Sequence, residues 1–223
     1  KRPLETPEPA MTDLPKPLRL HTVSTAPNPR RVAAFMACKG ITLPLVEYDM
    51  GARAHYAPEY IALAGRPVIP ALELDSGEVL TETIAICRYL EAFYLGTPLF
   101  GADPLAAARI EMWQRRAEFE LLLPVAAVFR HSHPAMAGLE DQVPDWADAN
   151  RARVLKGFAT LDARLAISAH LGGEGFSVAD ITAYVTVDFS RVTKIAIPAE
   201  MTALLAWRDR MAALACFARP AKG

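Results

Sequence analysis

Residues 66–90 read RPVIPALELDSGEVLTETIAICRYL, and this stretch decides the fold. Two runs rich in Val, Ile and Leu flank the turn Asp75-Ser76-Gly77, a pattern that predicts a β-hairpin. The chain then passes through residues 81–83 into a segment, 84–90, whose apolar side chains recur at helical spacing. The sequence therefore predicts a hairpin that leads directly into a helix.

Both ends of this stretch have features of a binding site. Pro67 and Pro70 stand at the start of a buried strand, where a proline is tolerated only at an edge, at a first position or at a special bend. We predict that the Ile69-Pro70 bond is cis, because X-Pro bonds adopt that form at low cost. At the other end, Glu82 and Thr83 stand where a helix begins, next to free N–H groups and the positive end of the helix dipole.

The composition is that of an ordinary globular protein. Of the 223 residues, 52% are hydrophobic and 22% are charged, which suffices for one large domain or two modest ones. The net charge of −1 argues against a nucleic acid or an anionic membrane as partner. No apolar run reaches the roughly 18 to 20 residues of a membrane-spanning helix.

The first residues and the cysteines indicate in which cellular compartment the protein is expected. Residues 1–17 are polar and rich in proline, so we expect a flexible tail and no signal peptide. Cys38, Cys87 and Cys216 are scattered in apolar, helix-like surroundings, so neither a disulfide framework nor a metal site is expected. The cytoplasm is the expected location.

The first half alternates strands and helices. A strand is predicted over 18–23, followed by a helix with Asn28 as N-cap and Pro29 at its first position. A second strand over 45–50 completes a βαβ unit, and 51–65 contains a loop and a short helix. Together with residues 66–90 the order is β-α-β-α-β-β-α, which predicts a thioredoxin-like α/β domain over residues 18–97.

Beyond residue 97 the pattern is helical throughout. Glycines and prolines mark a linker over 98–104, and an all-α domain is predicted over 105–223. Its helices are expected over 105–129, with a bend at Pro124, over 147–169, from Ser177 onward and over 201–217. Ser177 and Asp180 have the spacing of a capping box, a structural signal at a helix start.

Three segments together resemble the cytosolic glutathione transferase family: APNPRRVAAFMACKGI (26–41), VIPALELDSGEVLTET (68–83) and GFSVADITAY (175–184). The resemblance covers residues 18–218. It implies a glutathione transferase architecture, glutathione as co-substrate without a metal, and a homodimer. In pattern the chain is similar to an atypical bacterial and fungal branch of that family.

The resemblance also implies which residues hold glutathione. The backbone of Ile69, ahead of Pro70, pairs with the cysteinyl part, and Glu82 and Thr83 receive the γ-glutamyl group. A helix N-terminus suits a carboxylate, and Glu82 suits an ammonium group. His55 matches a position that often holds the glycyl carboxylate, although a surface histidine is the alternative.

The catalytic position departs from the family pattern. Most members carry Tyr, Ser or Cys in the first loop, whereas that position here is Ala26. The thiolate would then be stabilised by the start of the first helix, with a hydrogen bond from Asn28 unless its amide serves as the helix cap. Ser24 and Thr25 are further candidates. His131 and His133 end the long helix, where one could hold a water or both could be solvated.

The resulting expectation is conjugation of the glutathione thiolate to a small, largely apolar electrophile, as in detoxification. A glutathione-dependent thiol or peroxide reductase is one alternative, although it would normally need a cysteine near Ala26. A non-catalytic glutathione-binding protein and a scaffold module of the same fold are the others.

Overall fold

A four-stranded mixed sheet forms the first domain of the protein in a computed structural model, which describes residues 14–217. Residues 1–13 of the predicted tail lie outside the described residues, and the first strand begins at Pro17. The elements follow the predicted order: β1 (Pro17–Thr22), α1 (Pro27–Lys39), β2 (Leu45–Glu47), α2 (Pro58–Ala64), β3 (Ala71–Leu74), β4 (Val79–Thr81) and α3 (Thr83–Phe93).

The strands are arranged in the order β2-β1-β3-β4. β1 and β2 are parallel, as the βαβ pattern predicts, and the other pairs are antiparallel. The hairpin turn requires Gly77, because its φ of 85° lies in the left-handed region. One face of the sheet buries Leu20 and Leu72 against Phe35 of α1 and Leu90 of α3. The thioredoxin-like fold of this domain is therefore confirmed.

Helix α1 begins earlier than the sequence predicts. Ala26 is its N-cap, with extended backbone at φ −83° and ψ 144°, and Pro27 takes the first helical position. The prediction that Asn28 caps this helix is wrong, because Asn28 is the second helical residue and makes no capping hydrogen bond. Two prolines compete for the helix start, and the fixed φ of the earlier one already suits a first turn.

All regular secondary structure in the described residues from 94 to 217 is helical. The helices of this second domain are α4 (Pro104–Arg116), α5 (Leu123–Ser132), α6 (Pro144–Leu165), α7 (Val178–Ser190) and α8 (Thr202–Ala212). Helix α6 begins before the predicted residue 147 and ends before the predicted residue 169. Helix α8 ends before the predicted residue 217. Residues 98–103 of the predicted linker over 98–104 lie between α3 and α4, residue 104 is the first of α4, and the exact domain boundaries stay a prediction.

A π-helical segment, Ala117–Leu122, joins α4 to α5. Pro124 is the second residue after it, and a proline removes one N–H and crowds the carbonyl of the residue four positions earlier, here Glu120. A π-helical segment relieves such crowding because it widens the helix. The long helix predicted over 105–129 is thus present, with a π-helical segment beside the proline.

Helix α6 packs closely on this π-helical segment through Gly157. A Cβ atom at this glycine would lie 2.7 Å from the carbonyl oxygen of Glu120 and 3.0 Å from Leu121 Cδ1. Two helix backbones can approach this closely only where a side chain is missing.

We predict that Gly157→Ala lowers the free energy of unfolding by roughly 1–3 kcal/mol, because the backbone must shift, although alanine favours helix by about 1 kcal/mol over glycine. Chemical denaturation measures the change. Gly175→Ala is the matched control, since no atom lies within 4 Å of its added Cβ. Equal effects of the two substitutions would contradict the close packing.

The capping box predicted at Ser177 is confirmed at the start of α7. Asp180 is fully buried, and its Oδ2 accepts hydrogen bonds from Ser177 N and Oγ at 3.1 and 2.9 Å. Its Oδ1 accepts from the backbone N–H of Leu171 and from Trp207 Nε1 at 3.1 and 3.2 Å. One carboxylate therefore connects the start of α7 to the preceding loop and to α8.

The expectation that the cysteines form no disulfide is wrong. Cys38, near the end of α1, is bonded to Cys216, with their Cα atoms 5.0 Å apart. A sequence separation of 178 residues conceals this proximity, because the segment after α8 returns to α1. Cys87 is buried and free, and burial raises the pKa of its thiol to about 12.

Between residues 14 and 217, no three His, Cys, Asp or Glu side chains are grouped so that they could hold a metal ion. In the same part of the chain, every helix is too short or too polar to cross a membrane.

Candidate functional site

A cleft of about 350 Å³ lies between the sheet domain and the end of α5. Its walls combine the loop before β3, the start of α3, the start of α1 and the turn that follows α5. Six of the eight predicted site residues line it: Asn28, His55, Ile69, Pro70, Glu82 and Thr83.

The loop before β3 contains a backbone N–H group, that of Ile69, without a hydrogen-bond partner among residues 14–217. The Ile69-Pro70 bond is cis, as predicted. Among the described residues, nothing accepts a hydrogen bond from the backbone N–H of Ile69. The loop is held from behind by Tyr60, whose hydroxyl donates to the carbonyl of Val68 at 2.5 Å. Burial raises the pKa of Tyr60 to about 12, so this hydroxyl keeps its proton. Because the N–H of Ile69 has no partner in the described part of the chain, an extended peptide can pair with it as an added strand.

The start of α3 brings an acid and a helix N-terminus together. Glu82 adopts φ 68° and ψ 120°, a left-handed conformation that is rare for residues other than glycine and is concentrated at functional sites. Its side chain is 72% exposed, and its one ion pair, with Arg66, is 3.8 Å long. Thr83 is the first helical residue and is buried. A ligand with both an amine and a carboxylate matches this arrangement.

His55 lies in a short 3₁₀ helix before α2 and is only 6% exposed. Among the described residues its buried Nδ1 has no hydrogen-bond partner, and its ring lies against Tyr56 at 4.5 Å. Burial lowers the pKa of this imidazole. A buried polar atom without a partner is costly, and a ligand in the cleft could supply the missing bond.

The first loop places Ala26 and Asn28, but not the hydroxyl candidates, at the cleft. Ser24 and Thr25 are the central residues of a turn closed by the Ala26 N–H and the Val23 carbonyl at 3.2 Å. Both are exposed at the tip of the turn and do not line the cleft. The amide oxygen of Asn28 accepts a hydrogen bond from Arg31 Nη1 at 3.3 Å.

The wall supplied by the second domain was not predicted. It consists of Arg130, Met136, Leu139 and Glu140, and Arg130 pairs with Glu140 at 2.8 Å. Arg53 of the first domain donates to the carbonyl of Gly138 in the second domain at 2.5 Å. The one signal in the sequence was the basic end of the long helix.

The histidines at that helix end have structural partners. His131 Nδ1 accepts from the N–H of Val143, and His133 Nδ1 accepts from the N–H of Ala135, both at 3.2 Å. Neither histidine lines the cleft. These bonds cap the turn that carries the second-domain wall.

Two family models match the chain. The glutathione S-transferase N-terminal domain matches residues 25–92, and the glutathione S-transferase C-terminal domain matches residues 144–210. The chain belongs to the glutathione S-transferase family. The family and the two-domain architecture predicted from the sequence are therefore confirmed.

Relatives of this glutathione S-transferase family member match about three quarters or more of the chain. Glutathione S-transferase 2 of Saccharomyces cerevisiae is 34% identical over 197 residues, which cover 86% of this chain and 84% of the relative. Glutathione S-transferase 3 of Zea mays is 33% identical over 177 residues, 74% of each chain.

Solved structures of glutathione S-transferases have the same fold. A glutathione S-transferase domain-containing protein of Marinobacter aquaeolei VT8 superimposes with a TM-score of 0.85 at 34% identity, covering 90% of this chain and 100% of that one. Gtt2 of Saccharomyces cerevisiae gives a TM-score of 0.84 at 31% identity, covering 90% and 98%. The similarity places this glutathione S-transferase family member in the atypical, Gtt2-like branch.

Proposed function

We propose that the protein conjugates glutathione to a small, largely apolar electrophile. One observation carries the proposal: the wall that the first domain gives to the cleft combines the unpaired N–H of Ile69, the Glu82-Thr83 helix start and the imidazole of His55. An extended peptide with one amine and two carboxylates, as in glutathione, uses all of these groups.

Each part of the tripeptide has a complementary group. Thr83 and the first N–H groups of α3 bind the γ-glutamyl carboxylate, and the exposed carboxylate of Glu82 binds its ammonium group. The backbone of Ile69 pairs with the cysteinyl residue, and His55 donates to the glycyl carboxylate. The sulfur then faces Ala26 and Asn28.

The thiolate needs no side-chain base in this arrangement. The positive end of the α1 dipole and a hydrogen bond from Asn28 both favour the charged sulfur, and Ala26 leaves room for it. Met136 and Leu139 supply an apolar wall on the opposite side. The rate comes from a lowered thiol pKa and from the proximity of the two reactants.

A reductase is less well supported than a transferase. Cys38 is in a disulfide, and Cys87 is buried with a raised pKa. No described residue of the cleft is therefore a reactive thiol.

His55 predicts a pH dependence. Burial lowers its pKa in the free protein, whereas a bound carboxylate favours its protonated form, so ligand binding takes up a proton. The affinity for S-methylglutathione, which has no thiol to titrate, should therefore rise several-fold as the pH falls from about 7.5 to 5.5. Calorimetric titration measures this, and His55→Gln should show a flatter profile. Identical profiles for both proteins would argue against the carboxylate contact.

A homodimer is also proposed. Exposed apolar side chains of Phe119, Leu123 and Trp146 line a groove of about 650 Å³ on the second domain. A second copy of the chain would cover this face. We expect Leu123→Glu to shift sedimentation equilibrium toward the monomer, and an unchanged mass distribution would place the interface elsewhere.

The proposed location is the cytoplasm, whose glutathione pool would supply the co-substrate. The Cys38–Cys216 bond would be exposed to reduction there, since both residues are partly accessible. A mobility shift after thiol alkylation of cell extracts would show how much of the bond is reduced.

Retention on immobilised glutathione, followed by a conjugation assay with an activated aryl halide, tests the function. We expect specific elution by free glutathione and a glutathione-dependent increase in conjugate. Retention without conjugation of any electrophile would favour a non-catalytic binding protein. Absence of retention would leave only a scaffold role.

A further inference from the structure

Arg31 of α1 is buried at the boundary between the two domains, with 2% of its surface exposed. Its Nε donates to Thr182 Oγ1 at 3.0 Å, and its Nη2 pairs with Glu118 Oε1 at 2.5 Å. Its third contact is Nη1 to the amide oxygen of Asn28 at 3.3 Å. The guanidinium therefore connects the second domain to a residue that lines the cleft.

This contact determines which way the Asn28 amide faces. A guanidinium group has only donors, so the group that it meets must be an acceptor. The amide oxygen of Asn28 consequently faces Arg31, and its NH₂ group points away from the arginine. The side chain is exposed and lines the cleft, so the NH₂ hydrogens are available to a ligand there.

The backbone of the first turn of α1 adds a second hydrogen-bond donor at Asn28. Pro27 and Pro29 have no N–H, and the N–H of Arg30 is bound to the Ala26 carbonyl at 3.1 Å. Among residues 14–217, nothing accepts a hydrogen bond from the N–H of Asn28. Within the first turn of α1, Asn28 thus offers a free backbone donor next to its side-chain donor.

We propose that Arg31 is a positioning residue, which holds the amide of Asn28 with its NH₂ group toward the sulfur of bound glutathione. This inference rests on the proposed function, because it names the group behind the thiolate contact.

The charge of Arg31 is a weaker explanation for any effect on the thiol. The guanidinium is paired with Glu118, whose other oxygen meets Arg115 at 3.2 Å, and Arg115 is itself paired with Glu111, so most of the Arg31 charge is compensated within this network. If Arg31 served only to hold the two domains together, its contacts with Thr182 and Glu118 would suffice and the bond to Asn28 would not be needed. Orientation of the amide is the role that the third contact adds.

The test is the thiol pKa of bound glutathione, followed by the ultraviolet absorbance of the thiolate as a function of pH. In the parent protein we expect a pKa well below that of a free thiol, about 8.5 to 9. Asn28→Ala should raise it by about one unit, as expected for losing one hydrogen bond to a charged group. Arg31→Lys, which keeps the charge but loses the fork, should raise it by a similar amount.

The double variant Asn28→Ala/Arg31→Lys separates the two explanations. If Arg31 acts through Asn28, the double variant raises the thiol pKa no further than Asn28→Ala alone. Thr182→Val is the matched control, because it removes another contact of Arg31 and leaves the bond to Asn28. We expect it to lower thermal stability and to leave the thiol pKa unchanged.

The outcomes distinguish the inference from the function on which it rests. A parent protein that binds no glutathione overturns both. A parent thiol pKa that is lowered, with Arg31→Lys equal to the parent or with additive effects in the double variant, overturns only the positioning role. If Arg31→Lys does not fold, Arg31→Leu/Glu118→Leu removes both charges of the buried pair, and the same rise in thiol pKa is expected.

Discussion

Replacement of Glu82 by alanine is expected to weaken glutathione binding strongly while the protein stays folded. The side chain of Glu82 is 72% exposed, and its 3.8 Å pair with Arg66 is too long and too solvated to add much stability. Its proposed role is to meet the ligand's ammonium group, and a hydrogen bond between charged groups contributes roughly 1.5–3 kcal/mol. Its loss corresponds to a weakening of about 10- to 100-fold.

Calorimetric titration with glutathione and thermal unfolding of the same sample test this expectation together. Glu78→Ala is the matched control, because Glu78 is exposed on the same hairpin and does not line the cleft. We expect it to bind glutathione like the parent. Undiminished affinity in Glu82→Ala would remove the central element of the proposed site.

Replacement of Asp180 by alanine is expected to remove a large part of the free energy of unfolding. The substitution leaves four donors, Ser177 N and Oγ, Leu171 N and Trp207 Nε1, without their acceptor in a buried region. Each unsatisfied buried donor costs about 1–3 kcal/mol. Even after partial relaxation, a loss of roughly 3–5 kcal/mol is a large fraction of the usual 5–15 kcal/mol of total stability.

Denaturation followed by circular dichroism measures this loss. Asp103→Ala provides the comparison, because Asp103 caps α4 with two hydrogen bonds at an exposed helix start. An exposed N-cap contributes about 1 kcal/mol, so the parent and Asp103→Ala should differ much less. A small effect of Asp180→Ala would mean that water replaces the carboxylate.

The features that could be predicted from the sequence are local ones. The hairpin turn at Gly77, the capping box at Ser177 and the helix start at Thr83 each depend on a few consecutive residues. The residues that the first domain contributes to the cleft were identified because they lie within or near such local signals.

The features that escaped prediction depend on distant or competing parts of the chain. Arg130 and Met136 meet the first domain only after the chain has folded, so their spacing carries no signal. The π-helical segment before Pro124 arises from crowding inside one helix, which apolar periodicity does not register. The start of α1 was misplaced because Pro27 and Pro29 are both suitable first residues.

The Cys38–Cys216 bond has a consequence for motion between the domains. The chain passes from one domain to the other in the segment between α3 and α4, and the disulfide adds a second covalent attachment through the segment after α8. Two bodies joined at two points retain one easy rigid-body motion, a rotation about the line through both points. The disulfide therefore restricts relative rotation of the two domains at the far end of α1, and the contacts of Arg31 with Thr182 and Glu118 hold the same boundary whether or not the bond is reduced.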